Sequence, residues 1–109
     1  LVSRRPYADK FVQAQPILGV DGTTVNHCAP GNPACGRVYA KTGTYVYPDP
    51  LNGRNVLIAK GLAGYIDAKS GRRLVFAGYV NNVPLSDTVT MDTVGTDLGS
   101  IAGLIYENN

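Results

Sequence analysis

The sequence predicts an α+β domain: a three-stranded antiparallel meander flanked by N- and C-terminal helices. Two observations predict it. Apolar residues recur at three- and four-residue spacing near both ends, the signature of one helical stripe. Between them lie three strand-like runs, the last two joined by a five-residue, glycine-bearing turn. A length of 109 residues with a hydrophobic fraction of 44% suits one small core, with no linker and no internal repeat.

Tyr7, Ala8, Phe11, Val12, Ala14 and Ile17 predict a helix within Pro6–Leu18, with Pro6 in its first turn and Pro16 near its end. Gly19-Val20-Asp21-Gly22-Thr23 reads as a turn, and Asn26–Gly36 as an irregular loop. Arg37–Thr44 alternates, with Val38, Ala40 and Thr42 on one face and Arg37, Tyr39 and Lys41 on the other. Tyr45–Val56 contains Pro48, Pro50, Asn52 and Gly53 and is expected to be a long surface loop. Ala59–Ile66 and Leu74–Val80 complete the meander around Ala68–Arg72. Val94, Leu98, Ile101, Ile105 and Tyr106 predict the last helix, with Asp92 or Thr93 as its cap. Gly95, Gly99 and Gly103 recur every four residues there, as close packing against a sheet face requires.

Cys28 and Cys35 enclose a loop with two prolines and a glycine. A disulfide is the favoured reading, contributing about 2–3 kcal/mol and implying an oxidising compartment. Two free thiols are the alternative; a metal site is disfavoured, because zinc ligands usually lie closer in sequence and only His27 stands nearby. The sole histidine, His27, reads as a polar loop residue.

Ten Lys and Arg against eight Asp and Glu leave a net charge of +2, too small and scattered to argue for nucleic acid. No apolar run approaches the ~20 residues of a membrane-spanning helix. The chain starts at Leu1 with no leader-like segment after it, which suggests a processed chain or a fragment. No phosphate loop, His-Glu-x-x-His or Gly-x-Ser-x-Gly motif is present, and no cofactor is expected.

One motif carries chemistry: Lys41-Thr42-Gly43-Thr44, at the end of a predicted strand. Lys-Thr-Gly is one element of the penicillin-recognising serine acyltransferases. A strand edge offers backbone groups to an extended acyl substrate. The lysine supplies a positive charge beside the reacting serine, threonine hydroxyls suit a carboxylate, and glycine leaves room at the backbone.

The blocks around the motif extend the similarity. Gly19-Val20-Asp21-Gly22-Thr23, Ala40-Lys41-Thr42-Gly43-Thr44, Leu62-Ala63-Gly64-Tyr65 and Val80-Asn81 occur in that order. The series resembles the C-terminal part of the low-molecular-mass penicillin-binding proteins, D-Ala-D-Ala carboxypeptidases that double as endopeptidases. It covers roughly residues 11 to 106. A β-lactamase relative shares Lys-Thr-Gly but fits the context less well.

The resemblance implies a β-lactamase/transpeptidase-like fold, with residues 1–109 as its C-terminal portion. It implies that Lys41 sets substrate recognition and the electrostatics around the serine. Thr42, Gly43 and Thr44 would bind substrate, the two hydroxyls holding the terminal D-alanine carboxylate, and the Thr44 N–H would form half of the oxyanion hole. Asp21 and Gly22 would shape a turn, and Tyr39 and Tyr45 border the cleft. The implied partners are a peptidoglycan stem peptide or a β-lactam, outside the cytoplasmic membrane, together with the missing N-terminal part of the same protein or a second copy of the chain.

The departures are as informative. None of Ser3, Ser70, Ser86 and Ser100 is followed three residues later by lysine, so the Ser-x-x-Lys nucleophile is lacking. No Ser-x-Asn precedes the Lys-Thr-Gly strand, and Tyr79-Val80-Asn81 follows it, in the wrong chain order for a Tyr-x-Asn variant. The cysteine loop and the Tyr45–Val56 segment also depart from the family pattern. The chain alone is therefore expected to be inactive. A non-catalytic module that binds muropeptides or a protein through the strand edge is the alternative function.

Overall fold

The structure, a computed structural model, describes residues 4–109; Leu1 and Ser3, noted above, lie outside the described residues. Their order is α1 (Ala8–Gln13), a 3₁₀ turn (Gly22–Thr24), β1 (Val38–Asp49), β2 (Arg54–Asp67), β3 (Arg73–Pro84) and α2 (Met91–Glu107). The strands form one antiparallel sheet in the order β1-β2-β3. The α+β class, the meander and the two flanking helices are as the sequence predicts.

The sheet separates two layers. Val38 and Ala40 of β1, Leu62 and Ile66 of β2, and Leu18, Ala34, Leu98 and Ala102 form the buried core on the α2 side. On the opposite face Phe11 of α1 meets Tyr65 edge-on, with ring centroids 6.4 Å apart. The alternation of β2 therefore turns Leu62 and Ile66 towards α2 and Tyr65 towards α1.

Five expectations need correction. The first helix is shorter than Pro6–Leu18, because Pro16 and Ile17 leave it to run beside β1. Ala40 N–H donates to the Pro16 carbonyl at 2.9 Å, Leu18 N–H donates to the Val38 carbonyl at 2.9 Å, and Ile17 bridges Tyr39. Tyr45–Val56 is not a loop. β1 and β2 continue as a paired ribbon to Asp49 and Arg54, with a register shift between Tyr45 and Val46, and only the tip turns. Pro48 fits because β1 is the outer strand and the even-numbered residues turn their backbone groups off its edge, so no ladder bond is lost.

The third correction concerns the α2 cap, which is Thr90. Its side chain accepts from Thr93 N–H while Thr93 Oγ1 accepts from Thr90 N–H, a reciprocal capping box. Fourth, Ile101 is exposed, and the buried stripe of α2 is Val94, Leu98 and Ala102 with the three glycines. Fifth, those glycines do not meet the sheet. A Cβ on Gly95 would strike the His27 ring, one on Gly99 the His27 carbonyl, and one on Gly103 the Asn32 side chain. The loop that bears the cysteines lies against α2, closed by the Cys28–Cys35 disulfide. His27 is thus a polar loop residue as expected, and its loop position against α2 leaves it buried.

Among the described residues, no helix is long and apolar enough to cross a membrane. No group of three His, Cys, Asp or Glu side chains is placed there to hold a metal ion.

Candidate active site

Lys41, Thr42, Gly43 and Thr44 lie mid-strand in β1, opposite Ala63, Leu62, Gly61 and Lys60 of β2. Their other flank is the outer edge of the sheet, to which no further strand is paired among the described residues. The Val38 carbonyl and Ala40 N–H already face that way, bonded to the Leu18 N–H and Pro16 carbonyl. Period-two alternation then aims the backbone of Thr42 and Thr44 off the same edge. The Thr42 carbonyl confirms the direction, since the Lys41 ammonium folds back over the edge and donates to it at 2.9 Å. The strip Pro16–Leu18 covers the edge only as far as Ala40, so the motif begins where that cover ends.

A second segment closes on the motif. Asp21 Oδ1 accepts from Ile17 N–H at 2.6 Å, and Thr24 Oγ1 donates to the Asp21 carbonyl at 3.1 Å. Gly19 and Gly22 take φ of +75° and +58°, the left-handed backbone that such a tight reversal demands. This locked turn presents Thr23, whose hydroxyl accepts from Thr42 Oγ1 at 2.9 Å and from the Lys41 ammonium at 3.5 Å. Asp21 and Gly22 are thus structural, as expected. The local sequence gives no sign of this role for Thr23, although it stands inside one of the quoted blocks.

The surroundings of the motif differ from strand face to strand face. A Cβ at Gly43 would meet nothing within 4 Å, so the space above it is open. Beside it Tyr79 lays its ring across Gly61. Tyr45 is exposed on this side of the sheet, and Tyr39 is half-buried near α1. Among the described residues, cavities of about 280, 600 and 170 Å³ lie elsewhere, beside the cysteine loop and α2, around Lys69 and Tyr106, and between α1 and Tyr39. Among the described residues the motif stands as an exposed rim, with Lys41, Gly43 and Thr44 open to solvent.

Behind the rim lies a buried charge. Lys60, 4% exposed, directly opposes Thr44, and its ammonium donates to Thr44 Oγ1 at 3.5 Å. Burial pushes the Lys60 ammonium below its ordinary pKa, with Asp92 opposing that shift. Burial likewise lowers the pKa of His27, helped by the Lys60 charge and opposed by Asp92, whose Oδ1 lies 3.5 Å from His27 Nε2. Among the described residues, His27 Nδ1 is buried without a hydrogen-bond partner. Nothing in the local sequence around Lys60 marks it, since buried lysines are rare and a strand lysine ordinarily reads as solvated.

A lysine, three threonine hydroxyls and outward backbone groups on one strand edge can recognise an anionic, extended peptide end. The chain falls in the low-molecular-mass, penicillin-binding-protein type of carboxypeptidases. It belongs to the D-Ala-D-Ala carboxypeptidase 3 (S13) family, whose model matches residues 2–97. No curated protein and no solved structure matches the chain significantly.

Proposed function

We propose that this chain supplies the Lys-Thr-Gly wall of a serine-type D-alanyl-D-alanine carboxypeptidase/endopeptidase that acts on peptidoglycan stem peptides. The observation that carries the reading is the uncovered β1 edge at Thr42–Thr44, with the Lys41 ammonium held against it. The sheet belongs, on this reading, to a β-lactamase/transpeptidase-like fold. A Ser-x-x-Lys on another segment of the same protein provides the nucleophile, and the exposed Val75 and Tyr79 of β3 fit the face where that part packs.

The serine Oγ attacks the carbonyl carbon of the penultimate D-alanine. An ester forms, the peptide C–N bond breaks, and the proton passes to the departing D-alanine amine. Water then hydrolyses the ester and regenerates the serine. The Thr44 hydroxyl, and that of Thr42 once it turns from Thr23, hold the terminal carboxylate, the Thr44 N–H faces the developing oxyanion, and Lys41 adds positive charge. Peptidoglycan as substrate places the protein outside the cytoplasm, a setting that suits the Cys28–Cys35 disulfide.

The test is Lys41→Ala in the full-length gene product, followed with a D-Ala-D-Ala peptide and a fluorescent penicillin. Loss of roughly 100-fold or more in acylation rate is expected, the usual scale for removing one such electrostatic group. Wild-type acylation by the variant, or labelling of the isolated 109 residues by the penicillin, overturns the reading.

A further inference from the structure

We propose that Lys60 is a positioning residue for the carboxylate-binding end of the Lys-Thr-Gly wall, acting through the Thr44 hydroxyl. The proposal rests on the reading of Thr44 given above and adds a residue from the neighbouring strand to it.

The register places Lys60 directly across from Thr44. Lys60 occupies the same face of β2 as the fully buried Leu62 and Ile66, a row in which an apolar side chain would be the ordinary occupant. Retaining an ammonium there costs desolvation, and a lysine is almost never fully buried without a partner. The hydrogen-bond partner found among the described residues is the Thr44 hydroxyl, at 3.5 Å. The charged or titratable groups coupled to Lys60 are Asp92 and His27, presented by α2 and by the cysteine loop. Asp92 is largely exposed, with its carboxylate beside His27, so it leaves the Thr44 contact intact.

Hydrogen-bond inventory gives this contact a direction. An ammonium has three donors and no acceptor, whereas a hydroxyl has one hydrogen and two lone pairs. Thr44 Oγ1 must therefore accept from Lys60, and its own hydrogen is left to point at another acceptor. Thr44 is exposed, and among the described residues no acceptor faces its hydroxyl, which leaves that hydrogen free for a ligand. A ligand carboxylate satisfies it, and the positive charge behind the hydroxyl strengthens the bond through polarisation. Lys60 itself, shut beneath the strand, need not touch the ligand. The arrangement favours anionic peptide ends over neutral ones at the moment of binding.

The experiment uses the full-length protein with a D-Ala-D-Ala peptide, and separates KM from kcat. Lys60→Met keeps the stem and removes the donor; Lys60→Arg keeps charge and donors; Thr44→Val removes the acceptor. Lys60→Met is expected to raise KM about tenfold with kcat little changed, the scale of one hydrogen bond to a charged group. Lys60→Arg is expected to recover most of that loss. In a Thr44→Val background, Lys60→Met should add less than about twofold, as residues acting through one another do. An unchanged KM in Lys60→Met, or the same tenfold loss with and without the Thr44 hydroxyl, overturns the proposal. Should Lys60→Met fail to fold, Lys60→Gln is read by the same two criteria. Lys41→Ala in parallel keeps the two ideas apart. Its failure to slow acylation rejects the site itself, while an active dependence on Lys41 with no dependence on Lys60 rejects only the positioning role.

Discussion

The carbonyl oxygen of His27 occupies the space that a side chain on Gly99 would need. The helix and the disulfide loop approach this closely only because α2 carries no Cβ at that position. Asn32 reinforces the contact by donating through Nδ2 to the Gly99 carbonyl at 2.8 Å.

Gly99→Ala therefore pits two effects against each other. Alanine improves helix propensity by about 1 kcal/mol. Against it, the new methyl meets a backbone oxygen that the disulfide loop cannot easily move, and overpacking of this kind costs about 1–3 kcal/mol or more. Destabilisation is expected to win, with a melting temperature lower by several degrees on a thermal scan followed by circular dichroism. A melting temperature at or above wild type would show that the loop yields.

Gly43→Ala makes the opposite case. Its Cβ position is empty to 4 Å and its backbone is ordinary strand, so stability should stay within about 0.5 kcal/mol of wild type. Acylation by penicillin in the full-length protein should nevertheless slow, because the methyl projects where a ligand would lie against the rim. Equal acylation rates in the two proteins would count against a ligand above Gly43.

His27 gives stability a pH dependence. Its folded-state pKa lies below the ordinary 6.5, because burial and the Lys60 charge outweigh Asp92. As pH falls, the unfolded chain takes up the proton first, which favours unfolding. The contribution is full above 6.5 and is lost as pH drops through the lowered native value. Urea unfolding of wild type between about pH 7.5 and 5 should show this decline, and His27→Gln should flatten it. Since His27 is the sole histidine, a slope that survives the substitution would assign the effect elsewhere.

Reduction of Cys28–Cys35 should loosen the same contact from the other side. Removing the cross-link by paired Cys→Ser substitution is expected to cost about 2–3 kcal/mol, the chain-entropy scale for so short a loop. Hydrogen exchange should rise in residues 26–36 and along the glycine face of α2. Unchanged exchange on that helix face would mean that the loop holds its place without the bond.

Much of this was legible in one dimension. Strand alternation at Val38–Thr44, the Ala68–Arg72 turn and the helical spacing from Val94 onward each report local periodicity, and each element formed. The Lys41–Thr44 motif was visible because its residues are adjacent. The ribbon from Tyr45 to Arg54 was hidden by Pro48 and Pro50, which read as breakers until the outer-strand position of β1 is known. Thr23 and Lys60 were missed for a related reason. A turn threonine and a strand lysine are ordinary residues until another segment is laid beside them.

The sequence by itself determined the class of the fold, the order of its elements, the chemical character of the Lys-Thr-Gly rim and the family to which the chain belongs. Only the tertiary structure decided that the three helix glycines receive the His27 loop, that among the described residues the β1 edge is uncovered from Thr42 onward, and that an ammonium lies buried behind Thr44. Periodicity reveals which side of a segment avoids water. Which other segment comes to fill that side depends on contacts between residues far apart in the chain, and those exist only once the backbone has folded.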